Sequence, residues 1–158
     1  MGLFNVIEIC DKEFFGRGIY YDENGCKYNG KGILYYENNK IAYKGKFKDG
    51  KRNGKGISYD IDGEKEYEGE FKDGYRNGKG IIYRKNGNKE YEGEFKDGER
   101  NGKGISYNII GTKEYEGEFK DGYRNGKGIS YENNKIAYEG EFKDGERNGK
   151  GISYNIIG

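Results

Sequence analysis

Apolar and polar positions alternate with period two along most of the chain, and glycines interrupt the alternation at regular intervals. Tyr67, Gly69 and Phe71 occupy every second position, with Glu68, Glu70 and Lys72 between and after them. That pattern predicts a strand, because successive side chains of an extended chain point to opposite faces. Asp73-Gly74 follows, a pair suited to a two-residue hairpin turn that needs positive φ. Closing the chain there sets Lys72 opposite Tyr75, Phe71 opposite Arg76, Gly69 opposite Gly78, Glu68 opposite Lys79 and Tyr67 opposite Gly80. The Tyr67 ring would then fill space left by a glycine. The Glu68–Lys79 pair would contribute about 0.2–1 kcal/mol across the strands.

Ile81 and Tyr83 break the phase. Strict alternation puts them on the face opposite Tyr67 and Phe71, and the same holds for Ile57 and Tyr59, Ile105 and Tyr107, Ile129 and Tyr131, and Ile152 and Tyr154. We expect one extra residue at Gly78-Lys79-Gly80, where missing Cβ atoms permit a bulge, to return them to the aromatic side. The alternative is a sheet with both faces partly apolar. Second turns are expected at Asp62-Gly63, Asn86-Gly87, Ile110-Gly111 and Asn133-Asn134.

The unit recurs. Copies start at Tyr43, Tyr67, Tyr91, Tyr115 and Tyr138, at spacings of 24, 24, 24 and 23 residues. A fixed period of this size signals a repeat array in which each unit packs on the next. The expected architecture is all-β: an elongated, single-layer, twisted antiparallel meander of repeated hairpins. Residues 92–111 and 139–158 are identical over 20 positions. Residues 1–15 read as an atypical N-terminal cap with a short strand within Leu3–Ile9. Residues 16–42 read as degenerate, shortened repeats, in which Gly16-Arg17-Gly18-Ile19 and Gly30-Lys31-Gly32-Ile33 echo the second half of the unit and Asn24-Gly25 supplies a turn. The five regular repeats fill residues 43–158. The array either ends in an open edge strand, where self-association or a partner is expected, or continues in a longer protein.

The motif from Tyr91 to Ile105, Tyr-x-Gly-x-Phe-x-x-Gly-x-x-x-Gly-x-Gly-Ile, closely resembles the MORN repeat (membrane occupation and recognition nexus). Where that family often carries Trp and His, this chain has Phe71 and Phe95, and Asn77 and Asn101. The resemblance implies a sheet of hairpins, a scaffolding or targeting role and disputed lipid binding, and it implies no catalysis by the repeats.

Composition narrows the role. Of 158 residues, 36% are charged and 32% hydrophobic, a balance that suggests disorder were it not for 17 Tyr and 8 Phe placed periodically. The net charge is +1, with both signs interleaved. This is not the basic footprint of a nucleic-acid binder, nor a polybasic segment for anionic lipid. Histidine is absent, which removes Ser-His-Asp and Cys-His nucleophile pairs. Cys10 and Cys26 are too few for a zinc site and read as free thiols. Gly74–Gly80 has three residues where a phosphate loop needs four, and Gly80 stands where Ser or Thr should follow the lysine. Asp60-Ile61-Asp62-Gly63 and Asp22-Glu23-Asn24-Gly25 lack the further ligands of a calcium loop. Glu68 and Glu70 recur in most copies, whereas an active site needs one special place. No catalytic residue, metal or cofactor is expected. No apolar run is long enough for a spanning helix, the N-terminus lacks a signal-peptide pattern, and Val6 stands where N-myristoylation at Gly2 wants Ser or Thr. A cytoplasmic protein, peripheral to membrane or cytoskeleton, is expected.

Two sets of residues carry the functional expectations. Arg52, Arg76, Arg100, Arg124 and Arg147 follow the turns and are spaced to line one rim about every 10 Å. Such a row would suit lipid phosphates or carboxylates, although Asp49, Asp73, Asp97, Asp121 and Asp144 lie close by. Tyr43, Tyr67, Tyr91, Tyr115 and Tyr138, with Phe47, Phe71, Phe95, Phe119 and Phe142, should form an aromatic ladder that holds the sheet. The expected function is a non-catalytic scaffold for an unidentified protein partner or for subcellular targeting. Its rivals are an adaptor binding anionic phospholipid through the arginine rim and a regulatory segment of a larger enzyme.

Overall fold

A computed structural model describes the backbone of residues 5–7, and residues 20–21 and 24–156. These form one twelve-stranded sheet whose spatial order follows chain order. The strands are β1 (Asn5–Ile7), β2 (Gly30–Tyr35), β3 (Ile41–Lys48), β4 (Lys51–Tyr59), β5 (Lys65–Lys72), β6 (Tyr75–Tyr83), β7 (Lys89–Lys96), β8 (Glu99–Tyr107), β9 (Lys113–Lys120), β10 (Tyr123–Glu132), β11 (Lys135–Lys143) and β12 (Glu146–Ser153). From β2 onward every pairing is antiparallel, whereas β1 lies parallel to β2 with Val6 beside Ile33. At about 4.8 Å per strand, twelve strands span roughly 50 Å.

The Asp-Gly turns form as the sequence predicts. Asp73 and Gly74 both take positive φ (51° and 94°), and Lys72 pairs with Tyr75 and Phe71 with Arg76. Each such turn then hydrogen-bonds to the preceding unit: Gly98 N–H donates to the Arg76 carbonyl at 2.9 Å, and Gly122 N–H to the Arg100 carbonyl at 3.0 Å. The second turns carry positive φ at Gly63, Gly87 and Gly111. The 23-residue unit is shortened at its second turn. There Asn133 and Asn134 (φ 50° and 62°) close directly between Glu132 and Lys135, so the strand phases on either side are kept.

Beyond the Asp-Gly turn the register departs from simple counting. Phe71 pairs with Arg76, but the next matched pair is Gly69 with Gly80, so Glu70 alone spans the three residues Asn77, Gly78 and Lys79. The bulge therefore holds two extra residues rather than one. The glycine at its centre carries the strained backbone, with φ of 78° at Gly78 and 98° at Gly102. Three expected pairings are corrected: Gly69 faces Gly80 instead of Gly78, Glu68 faces Ile81 instead of Lys79, and Tyr67 faces Ile82 instead of Gly80. Because two residues preserve strand parity, Ile81 stays on the face opposite Tyr67, so the phase conflict resolves as a sheet that is partly apolar on both faces. The opposite charges still meet, but across the seam between hairpins, as Lys79 with Glu94 and Lys103 with Glu118.

The glycine pairs join into one row that crosses the sheet from Gly32 through Gly45, Gly56, Gly69, Gly80 and Gly93 to Gly151. The core lies along this row on one side. The N-terminal segment closes its near end: Tyr20 and Tyr28 both set their rings edge-on to Phe47, at 5.7 and 5.6 Å. Tyr20 N–H donates to the Gly50 carbonyl, and Gly50 N–H donates to that of Tyr28. Residues 1–4 and 8–19, which hold most of the expected cap, Cys10 and the first degenerate glycine motif, lie outside the described residues.

Candidate interaction surfaces

The first face is an aromatic spine. Tyr43, Tyr67, Tyr91 and Tyr115 are fully buried, and Phe71 and Phe95 nearly so. Each tyrosine ring meets a phenylalanine of its own unit and one of the next, as Tyr67 does with Phe71 (5.1 Å, 86°) and Phe95 (5.2 Å, 87°). Edge-to-face pairs of this kind contribute about 0.5–1.5 kcal/mol each beyond burial. The rings lie over the glycine row: a Cβ built on Gly80 would sit 2.2 Å from the Tyr67 hydroxyl, and one on Gly104 2.3 Å from that of Tyr91. No residue larger than glycine fits there without displacing the ring.

The hydroxyl explains why the ring is tyrosine. Tyr67 Oη donates to the Glu70 carbonyl at 3.0 Å, Tyr91 to that of Glu94 at 3.0 Å and Tyr115 to that of Glu118 at 2.9 Å. Each accepting carbonyl belongs to the residue that spans the bulge, where the ladder pairing is interrupted. Burial pushes the Tyr91 and Tyr115 hydroxyls up to about 12 and raises those of Tyr43 and Tyr67 as well. Small residues complete the floor: Ser58, Ser106 and Ser130 are buried beside the tyrosines they pair with.

The arginines belong to this face too. The Arg76, Arg100 and Arg124 guanidiniums stand over Tyr67, Tyr91 and Tyr115, 4.9, 4.9 and 5.0 Å from the ring centroids. Arg52 lies 4.8 Å from the Phe71 ring, and Arg147 4.8 Å from that of Tyr138. A one-residue bulge beside the turns at Gly63, Gly87 and Gly111 brings a glutamate to the same side. Arg76 pairs with Glu66 (3.0 Å), Arg124 with Glu114 (2.9 Å) and Arg100 with Glu90. Arg52 instead donates to the Gly74 carbonyl at 2.7 Å, and its burial holds the guanidinium below its ordinary pKa. Arg147 on β12 is exposed, and Ala137 occupies the position of those glutamates.

The second face is a groove. Ile57, Ile81 and Ile105 are half-buried along it, and the bare backbone of Gly45, Gly56, Gly69, Gly80, Gly93 and Gly104 forms part of its floor. The groove encloses about 1370 Å³ and runs from Lys31 to Lys127. Charge is balanced locally along most of it: Lys65 pairs with Glu68 (2.8 Å), Lys89 with Glu92 (2.7 Å) and Lys113 with Glu116 (2.7 Å). Lys65 and Lys113 also stand over the rings of Tyr83 and Tyr131, at 5.1 and 5.3 Å.

A glycine row under stacked tyrosines, renewed with every hairpin, is the structural content of the repeat. A family model for the MORN repeat matches residues 43–65, 67–89, 91–109, 115–134 and 138–154. The chain belongs to the MORN repeat family. Its matched units begin at Tyr43, Tyr67, Tyr91, Tyr115 and Tyr138, the tyrosines of the spine. No curated protein matches the chain. MORN repeats are generally protein- or membrane-interaction modules and form a non-enzymatic repeat domain. Among the described residues no group of His, Cys, Asp and Glu is placed to hold a metal ion, and no helix is long and apolar enough to cross a membrane.

For the MORN units, sequence reasoning located the ring residues and the arginine period. It missed the glutamate bulges at Glu66, Glu90 and Glu114, the buried serines and the groove. The signal for the serines is their parity: Ser58 lies between Ile57 and Tyr59, and so falls on the face of Tyr67. The groove residues were legible one by one, but the bulge count that assembles them was not.

Proposed function

We propose that this MORN-repeat chain is a non-catalytic scaffold that docks a partner protein in the groove. One observation carries the reading. The aromatic face is closed by its own rings, arginines and glutamates, whereas the groove face leaves half-buried isoleucines in a continuous trough among charged residues. Apolar groups ringed by charge on a preformed surface suit a protein ligand. The lipid reading has less support. Four of the five rim arginines are held by aromatic rings together with a glutamate or a backbone carbonyl, and so have fewer donors left for phosphate.

The test compares protein capture by the native chain with capture by an Ile81→Glu, Ile105→Glu variant. Its control is vesicle co-sedimentation with mixed zwitterionic and anionic phospholipid at physiological salt. The expected result is loss of the captured protein with an unchanged melting curve and no vesicle binding. Capture that survives the double substitution, or vesicle binding lost on Arg124→Gln, overturns the groove assignment.

A further inference from the structure

The groove is not the same along its length. In four units the two charged positions that face it are glutamates: Glu68 and Glu70, Glu92 and Glu94, Glu116 and Glu118, and Glu139 and Glu141. In the first unit both are lysines, Lys44 and Lys46. Lys31 pairs directly with Lys46, so with Lys44 three exposed ammonium groups share this end, whereas Lys55 on the next strand already lies opposite Glu70. Ile41 stands at the position that Lys65, Lys89 and Lys113 hold in later units, each beside its glutamate. Among the described residues that line the groove the acids begin only at Glu68, and from there each unit brings acids and lysines together. Among the described residues the trough is therefore basic at one end and electrically balanced beyond it.

The floor sets a second constraint. Ile57, Ile81 and Ile105 lie on alternate strands, two strand spacings apart, which is about 10 Å. Same-face side chains of an extended strand recur about every 6.6–6.8 Å and fall out of step with that spacing. An α-helix laid along the groove returns to the same face every seven residues, about 10.5 Å, and keeps step with it.

We propose that the groove receives an amphipathic helix of a second protein, with apolar residues recurring every seventh position and a cluster of Asp or Glu at the end that seats on Lys31, Lys44 and Lys46. This rests on the groove being the docking face and adds the partner's chemistry and its direction. The lysine end sets the orientation: a ligand entering the other way would place its carboxylates over Glu116 and Glu118 and away from the lysines. Complementary charge acts mainly on orientation and association rate, while the isoleucine row supplies the contact area.

The experiment uses two labelled 21-residue peptides with leucine at every seventh position, one ending in four glutamates and the other in four lysines. Fluorescence anisotropy follows binding to the full chain. The acidic peptide is expected to bind at least tenfold more tightly, to gain helical circular dichroism on binding and to weaken as salt is raised. Lys44→Glu with Lys46→Glu, which gives the first unit the residues of the other four and so keeps a fold the chain already uses, is expected to abolish the preference. Equal binding of the two peptides, or a preference that survives the double change, overturns the basic-end assignment; loss of both peptides on Ile81→Glu would show in that case that the groove is still the docking face. Binding without a gain of helix overturns the helical ligand. Failure of both peptides to bind overturns the proposal while partner capture still decides the groove.

Discussion

The two faces of the sheet are built from alternate residues of the same strands, yet they behave as different materials. On the aromatic face the tyrosine hydroxyl meets a carbonyl and the guanidinium meets a ring. On the groove face the lysines and glutamates form exposed pairs around half-buried isoleucines. One hairpin thus encodes cohesion at Tyr67 and Phe71 and contact at Glu68 and Ile81. Their independence means that the groove is free to change its charge, as the first unit has done, without disturbing the spine.

The largest expected effect breaks the spine everywhere at once. Neutral tyrosine is the form that the fold holds, because burial raises the hydroxyl pKa to about 12 at Tyr91 and Tyr115, above the usual 10.0. Above pH 10 the unfolded chain binds fewer protons than the folded one, so stability is full below about pH 10 and is lost as pH rises toward about 12. Ultraviolet absorbance of phenolate and circular dichroism of the sheet should change together in that window. Phenolate appearing at the spine tyrosines while the sheet stays intact would contradict the sealed face.

A smaller effect tests one ring. Phe95 touches Tyr67 and Tyr91 and is 4% exposed. Phe95→Ala should cost about 3–5 kcal/mol in denaturant unfolding, and an unchanged midpoint would show that the rings do not carry the cohesion. The smallest effect belongs to the other face. Glu116→Gln removes the pair with Lys113, whose partners are 37% and 46% exposed. Exposed pairs contribute at most about 1 kcal/mol, and often nothing measurable, so the midpoint should barely move. A loss as large as that of Phe95→Ala would erase the distinction between the faces.

Much of this was legible in the sequence. Tyr67, Gly69 and Phe71 give the strand, Asp73-Gly74 gives the turn, and the recurrence of both gives the hairpin array. The register past Asn77 was not legible, because glycine tolerates both one and two inserted residues and only the packed structure chooses between them. That choice decides which face Ile81 occupies, and so whether a groove exists. The arginines illustrate another limit. Their period could be read, but a flexible four-bond side chain reaches either water or the neighbouring ring, and the buried tyrosine face draws it inward. Glu66, Glu90 and Glu114 were hidden for the same reason as the groove, since a bulge turns them onto a face that alternation denies them.

The shortened turn at Asn133-Asn134 bears on how such an array lengthens and diversifies. One residue is lost there, yet Tyr138 still meets Phe142 at 5.3 Å, and Tyr115 still reaches the same phenylalanine at 4.9 Å. The deletion at that rim does not reach the glycine row, where Gly128 still pairs with Gly140, whereas a one-residue slip at an Asp-Gly turn would shift a whole strand. The second-turn rim is thus where foreign loops can be grafted, leaving the opposite rim as the array's ruler.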